Sequence, residues 1–299
     1  MRVDPNMVPG ILEDLQQSQL SLNTALQEVS TGKSVSVPSD NPTAAAEMVQ
    51  NTIETGDVDQ YTQNISSVMT TLQSAGSALS SVVTSLTQAV SLGTEGANGT
   101  NSTANLQTLA SQVQGILTSV VSAANTTVGG SYVFGGTSTA TPYTADSTSP
   151  SGYTYNGNDD TNSVEVGDHT SVQFNVPGSQ IFSNSTNNVL GSLSSLVTAL
   201  QSGNSSQIAT ATSAVDSAIG FIGQQQVFYS NAEGQLNSQE TFLQQDTVTL
   251  ASQENNLVGV DEATAATDLS QAETDNSAAL AAAAKVLPNS LLNFLEPPS

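Results

Sequence analysis

Apolar residues recur in alternating steps of three and four at both ends of the chain and along most of the sequence between them. Near the N-terminus this pattern puts five apolar residues on one helix face, with Gln19 as the polar interruption: Leu12, Leu15, Leu22, Leu26 and Val29. We predict a helix from about residue 8 to residue 30, ended by Gly32. A helix that is apolar on one side needs cover in water, so this segment predicts assembly with another helix or a neighbouring subunit.

The C-terminal segment repeats the same steps in an alanine-rich setting. Its predicted seam, meaning the stripe that faces a partner helix, consists of Leu269, Glu273, Asn276, Leu280, Ala283 and Leu287. Small residues beside this stripe allow close helix approach. The two ends, more than two hundred residues apart, therefore offer each other cover in one bundle.

Two long helices are predicted between these ends. Asn41 and Pro42 suit the start of the first, whose seam runs from Val58 to Ala89, and Gly93, Gly96 and Gly99 should end it. About 50 residues of helix make a rod of roughly 75 Å. The cluster 101–103 should cap a return helix carrying Leu106 to Ala123. In the second half a helix begins at Val189, breaks at Gly203 and restarts at Asn204, with a seam from Ile208 to Leu250.

The middle of the chain changes to β-type composition with frequent turn residues. Tyr153 and Tyr155 precede Asn156-Gly157, and Val172 begins an alternation of apolar and polar positions, so a small hairpin-rich sheet is expected there. The predicted fold is mainly α with a β insert: an elongated antiparallel coiled-coil or helical-bundle rod formed by both chain ends, plus a small central β-rich domain. We divide it into a terminal coiled-coil assembly domain (1–41 with 256–299), a long-helix rod domain (42–130 with 188–255) and a β-rich outer domain (131–187).

Composition narrows the function classes. The 299 residues include 3 Lys+Arg and 26 Asp+Glu, giving a formal net charge of -23. Nucleic acids and anionic membranes would repel such a chain, so we expect no nucleic-acid partner and no membrane insertion. The chain has no cysteine, no cleavable signal peptide pattern at its start and no run near the roughly 20 apolar residues that span a bilayer.

The sequence offers little catalytic or metal-binding chemistry. His169 is the single histidine and is expected at the surface, because one histidine without cysteine makes a poor transition-metal site. Gly135-Gly136-Thr137 lacks the lysine of a phosphate-binding loop, and no serine lies in a nucleophile elbow. We therefore predict no enzyme activity, no cofactor and no metal.

Two motifs and the C-terminal segment carry a resemblance to a known family. The motifs are STGKSVSVPSDNPTAAAE at Ser30–Glu47 and GSYVFGGT at Gly130–Thr137, and the C-terminal segment is Glu262–Leu295. Together they resemble the flagellin and hook-associated protein superfamily, and the first two resemble the hook-associated protein 3 family of junction proteins more than flagellins. The chain departs from the family in its few terminal Lys and Arg residues and in the tail Glu296–Ser299.

The resemblance implies a non-enzymatic subunit of the bacterial flagellum. Such a subunit would be exported by the flagellar type III apparatus with an export chaperone, would lie outside the cell, and would self-assemble into a ring joining the hook, through hook-associated protein 1, to the flagellin filament. The expected assembly interface combines the residues of both ends: Leu12, Leu15, Leu22, Leu26, Val29, Lys33, Leu269, Leu280, Leu287, Leu291, Leu292 and Phe294. Lys33 would either bridge to an acidic neighbouring subunit or remain solvated.

Two alternatives stay open at this point. A short flagellin that forms the filament itself would carry the same helical ends. A secreted carbohydrate-active or lytic protein on a helical stalk would need paired acids in a pocket, for which the candidates are Asp159, Asp160, Glu165 and Asp168.

Overall fold

The computed structural model describes residues 7–35 and 37–295. Its helices are α1 Met7–Thr31, α2 Pro42–Ala97, α3 Thr103–Ala124, α4 Gly178–Ile181, α5 Val189–Ser202, α6 Ser205–Val258 and α7 Glu262–Leu295. The chain divides into unit 1, Met1–Gly56 with Asp246–Ser299, and unit 2, Asp57–Gln245. The predicted fold class is confirmed: the chain is mainly helical, helices from its two ends pack together, and small hairpins lie in the middle. The three-domain division stays a prediction.

Most helix boundaries follow the predicted capping residues. Side-chain oxygens of Asn41, Ser102 and Asn204 each accept a hydrogen bond from the backbone N–H three residues later, at 3.1, 3.2 and 3.1 Å. Gly32 and Gly203 follow the last turns of α1 and α5 with left-handed φ angles of 68° and 71°. These contacts satisfy backbone groups that a helix end leaves unpaired.

Gly93 and Gly96 do not end α2, which continues to Ala97, so that prediction was wrong. Both glycines instead allow neighbouring helices to approach closely. A Cβ atom at Gly93 would lie 2.3 Å from Thr212 Oγ1, and one at Gly96 would lie 2.3 Å from Leu200 Cδ2. The glycines allow helices to pack closely within unit 2, and they do not end α2.

The core of unit 2 is built from the long apolar seams. Of the ten predicted α2 positions all but the half-buried Tyr61 are buried: Val58, Ile65, Val68, Leu72, Ala75, Leu79, Val82, Leu86 and Ala89. The α6 seam is buried at Ile208, Ala211, Val215, Ala218, Ile222, Tyr229, Ala232, Leu236 and Leu243. Helix α3 packs against α5 in the same unit. The 3-4 period thus identified the inward face of both long helices.

The β region consists of three separate two-stranded antiparallel ladders instead of one sheet. The pairs are β1 Thr127–Val128 with β2 Ser131–Tyr132, β3 Tyr143–Ala145 with β4 Tyr153–Tyr155, and β5 Ser163–Gly167 with β6 Thr170–Gln173. Strand β4 pairs with β3 before it, so Asn156-Gly157 is not a hairpin turn. His169 lies in the turn between β5 and β6, where its side chain is 95% exposed, as expected for a surface residue.

An aromatic cluster fills the core beneath these hairpins. Phe134 meets Phe182 and Tyr229 edge-on, with ring centroids 5.2 and 6.4 Å apart. Tyr143 donates a hydrogen bond to Gly178 O at 2.8 Å, and the Tyr229 hydroxyl accepts one from Val176 N at 3.3 Å. Burial raises the pKa of both phenols well above the ordinary tyrosine value. The cluster attaches the short strands to α6.

Candidate assembly surface

Helices α1 and α7 form the pair by which the two chain ends meet in unit 1. Ala25 is the buried centre of the α1 face, flanked by half-buried Ile11, Leu15, Ser18 and Leu22. The α7 face carries buried Ala265, Ala272, Asn276 and Ala283, with Leu269 and Ala279 half-buried. The two faces keep the predicted 3-4 period but are composed mostly of small or polar residues.

The α7 seam departs from the predicted one at two positions. Glu273 and Leu280 are exposed, and their neighbours Ala272 and Ala279 face α1 instead. In an alanine-rich segment several faces have similar apolar content, so the period does not fix the inward face. The thin alanine stripe allows close approach but buries little apolar area per residue.

The apolar residues of the predicted interface fall into three groups. Leu15, Leu22 and Leu269 lie half-buried between α1 and α7. Leu12, Leu26, Val29 and Leu280 are 45–50% exposed in the single chain. The side chains of Leu287, Leu291, Leu292 and Phe294 lie outside the described residues.

The α1–α7 pair therefore buries small residues, half-buries Leu15, Leu22 and Leu269, and leaves an outward group of large apolar side chains exposed. Leu20, which the sequence pattern missed, belongs to the outward group and is 60% exposed. Fully burying a leucine contributes about 1.5–3 kcal/mol, so these exposed leucines represent unused burial free energy. Exposed apolar side chains of this kind are suited to contact with another protein surface.

In unit 1 the segment that follows α1 is hydrogen-bonded to the segment between α6 and α7. Ser34 N donates to Val258 O at 2.7 Å, and Val260 N donates to Gly32 O at 3.1 Å. Lys33 lies between these bonds, and its Nζ atom lies 2.7 Å from Glu254 Oε1, with both side chains 40% exposed. Lys33 is thus paired within its own chain and is not simply solvated; a bridge to a neighbouring subunit stays a prediction.

An apolar groove of about 350 Å³ lies in unit 1 between the segment that precedes α2 and the first turns of α2. Eight residues line it and none is ionisable: Val35, Val37, Pro38, Ala45, Met48, Val49, Thr52 and Ile53. Val37, Val49 and Ile53 are about half exposed or more. Sequence reasoning missed this groove because three of its eight lining residues come from a connector without helical period.

Exposed apolar side chains concentrate in unit 1. Of eleven large apolar residues that are exposed in the described part of the chain, nine belong to unit 1, whereas Val227 and Phe242 belong to the larger unit 2. Unit 2 carries eleven Asp and Glu residues and no Lys or Arg. Contact between such acidic copies is favoured through surfaces without charged groups, such as the groove.

The acidic residues considered for a carbohydrate-active site do not form a pocket of paired acids. Asp159, Asp160, Glu165 and Asp168 are all exposed. Asp159 accepts a hydrogen bond from Ser179, and Asp160 accepts one from Asn158 at 2.8 Å. Exposed carboxylates that are occupied by neighbouring polar groups lack the burial that tunes a catalytic acid.

Part of the chain is similar to a known protein family. Residues 9–139 match the model of the bacterial flagellin N-terminal helical region. This part of the chain is therefore similar to the N-terminal helical region of bacterial flagellins. The resemblance inferred from the sequence motifs is confirmed, and this family is structural and not enzymatic. No curated protein sequence matches the chain.

Solved structures of flagellar proteins share the fold across most of the flagellin-like chain. A Vibrio parahaemolyticus protein named as a flagellar hook-associated protein is 20% identical, with a TM-score of 0.67, covering 74% of this chain and 100% of its own. FlgL from Bacillus cereus is 22% identical, with a TM-score of 0.60, over 69% and 99%. The flagellar junction protein FlgL from Legionella pneumophila is 15% identical, with a TM-score of 0.58, over 71% and 100%.

Membrane insertion has no support from the helices. None of those in the described residues combines the length and apolarity that a bilayer span requires.

Proposed function

We propose that this chain is a structural subunit of the bacterial flagellum that forms the junction between hook and filament. The observation that carries the proposal is the α1–α7 pair of unit 1, which joins the two chain ends and leaves Leu12, Leu20 and Leu26 exposed. The flagellin N-terminal region and the fold in common with proteins named as flagellar junction proteins support the same conclusion.

In this proposal the exposed leucines and the apolar groove of unit 1 are contacts between copies. The exposed leucines and the groove are different surfaces of one unit. A contact between the exposed leucines of one copy and the groove of the next copy is therefore heterologous. Heterologous contacts generate closed rings or open helical arrays, and a junction built as a ring uses the first of these. Each copy would gain the burial free energy that its exposed leucines leave unused.

The partners follow from the position of such a ring. One face would contact hook-associated protein 1 and the other would contact flagellin, while an export chaperone would bind the chain before type III export. The protein would act outside the cell as part of the flagellum. The terminal domain, 1–41 with 256–299, would supply the assembly contacts, and the β-rich region 131–187 would face outward.

A short flagellin is the second candidate, because the matched region is shared with flagellins. Copy number separates the two. A flagellin would be the dominant protein of sheared filaments, whereas a junction protein would be a minor component.

Deleting the gene tests the proposal. We expect cells that keep hooks, lack attached filaments and release flagellin into the medium, with all three reversed when the gene is restored. Loss of filaments without flagellin in the medium would favour the flagellin alternative, and normal filaments would refute both.

A further inference from the structure

A cleft of about 490 Å³ lies within unit 2 between α2, the β1–β2 hairpin and the segments before β5 and after β6. Its size falls within the roughly 300–1,000 Å³ of small-molecule sites. None of its lining residues belongs to unit 1, so an inference about it does not depend on the assembly surface.

The cleft is lined by neutral polar and aromatic groups. Six of its fifteen lining residues carry an aliphatic hydroxyl, two carry an amide and two, Tyr132 and Phe174, carry an aromatic ring. None is Asp, Glu, Lys, Arg or His, although the chain as a whole has a formal net charge of -23. Such a lining favours an uncharged ligand that both donates and accepts hydrogen bonds.

One lining residue has an unused hydrogen-bond donor. Asn175 is only 2% exposed, and its Oδ1 atom accepts a hydrogen bond from the backbone N–H of Asn162. Because a backbone N–H can only donate, this bond fixes which end of the amide is oxygen and leaves the NH2 group at the other end. That Nδ2 atom is buried and has no hydrogen-bond partner. A buried donor without a partner is destabilising.

The wall beside Asn175 is held in place before any ligand binds. Gly136 has a left-handed φ of 69°, and a Cβ atom there would lie 2.1 Å from Asn158 Oδ1. The same Oδ1 accepts a hydrogen bond from Thr137 N at 2.8 Å, and Asn162 Nδ2 donates to Gly136 O at 3.1 Å. These bonds explain why the Gly-Gly-Thr segment needs a glycine here, and they preorganise one side of the cleft.

We propose that this cleft binds a small neutral saccharide. A sugar presents hydroxyl groups that donate and accept, which matches the hydroxyl and amide lining, and ring C–H groups that pack on the faces of Tyr132 and Phe174. The exposed Ser67 and Thr139 lie at the rim, where a saccharide enters.

Binding to the full-length protein tests the proposal, with glucose, N-acetylglucosamine and maltose as probes and glucuronate as the charged comparison. Ligand-observed NMR and calorimetry should detect saturable binding of at least one neutral probe, with a dissociation constant of roughly 1 mM. Glucuronate should bind more weakly, because the lining offers no cation. Absence of binding by every neutral probe up to about fifty times that concentration would overturn the proposal.

Two variants locate the binding. Ser67→Trp fills the mouth of the cleft from an exposed helix position, and Ser66→Trp adds the same bulk to the neighbouring exposed position outside the lining. We expect Ser67→Trp to weaken binding at least tenfold and Ser66→Trp to leave it unchanged, with both variants folded by circular dichroism. Equal binding by both variants would overturn the proposal.

Discussion

Replacing Gly93 by alanine should destabilise unit 2, although alanine is the better helix former. A Cβ atom at Gly93 would lie 2.3 Å from Thr212 Oγ1 and 3.2 Å from Leu196 Cδ1. Thr212 has little freedom to move away, because it is β-branched, 9% exposed and donates its hydroxyl to Ile208 O at 2.8 Å. The added methyl group must therefore displace one helix against the other.

The magnitude follows from two opposing effects. Glycine to alanine in a helix interior stabilises by about 1 kcal/mol. Overpacking a filled contact costs about 1–3 kcal/mol. The net destabilisation should be up to about 2 kcal/mol, which corresponds to a fall in Tm of up to roughly 8 °C for a unit of this size.

Gly76 provides a matched control in the same helix, because no atom lies within 4 Å of a Cβ built there. Thermal unfolding followed by circular dichroism should show a lower Tm for Gly93→Ala and a Tm raised by roughly 2–4 °C for Gly76→Ala. Adding Thr212→Ala to Gly93→Ala should recover about 1–2 kcal/mol relative to the sum of the single changes. If both glycine variants raise the Tm equally, the close approach of the helices is refuted.

Three further predictions concern proteolysis, pH and salt. Glu254→Gln should speed trypsin cleavage after Lys33 by roughly two- to fivefold over wild type, because a half-exposed ion pair contributes about 0.2–1 kcal/mol. The control Glu47→Gln should leave the cleavage rate unchanged. Equal rates for Glu254→Gln and wild type would show that the ion pair does not stabilise the segment around Lys33. Burial raises the pKa of Tyr143 and Tyr229, so each contributes stability that is complete below pH 10 and decreases above it, by about 1.4 kcal/mol at pH about 11. Urea unfolding across this range should show the decrease, and Tyr229→Phe should reduce its slope; an unchanged slope would contradict the assignment. Self-association in sedimentation experiments should strengthen between about 0.01 and 0.1 M NaCl, as the screening length falls from about 30 to 10 Å; weakening would indicate attraction between charges at the contact.

The long helices could be predicted from the sequence because their seams repeat over many turns. The caps at Asn41, Ser102 and Asn204 depend on neighbouring residues alone and were predicted for the same reason. Gly93 was misread because its function depends on Thr212, more than a hundred residues away. A local rule treats every glycine near a helix end as a stop.

The hairpins and the assembly surface were only partly predictable. The Asn156-Gly157 signal is local, but the pairing of β4 with β3 is decided by tertiary packing. On α1 the period identified a stripe that the structure splits, with Leu15 and Leu22 facing α7 and Leu12 and Leu26 exposed. An apolar pattern indicates that a residue is buried against another surface, but it does not predict which surface that is.

The central claim is that the exposed leucines of α1 are contacts between copies. The most direct measurement is the ability of Leu12→Ser/Leu26→Ser to restore attached filaments in cells that lack the gene, with Val227→Ser in unit 2 as the exposed control. We predict that the double variant is exported and folded, with a Tm close to that of wild type, yet restores no filaments, whereas the control restores them fully. A double variant that restores filaments as well as wild type, or one that fails because it unfolds, would contradict the account.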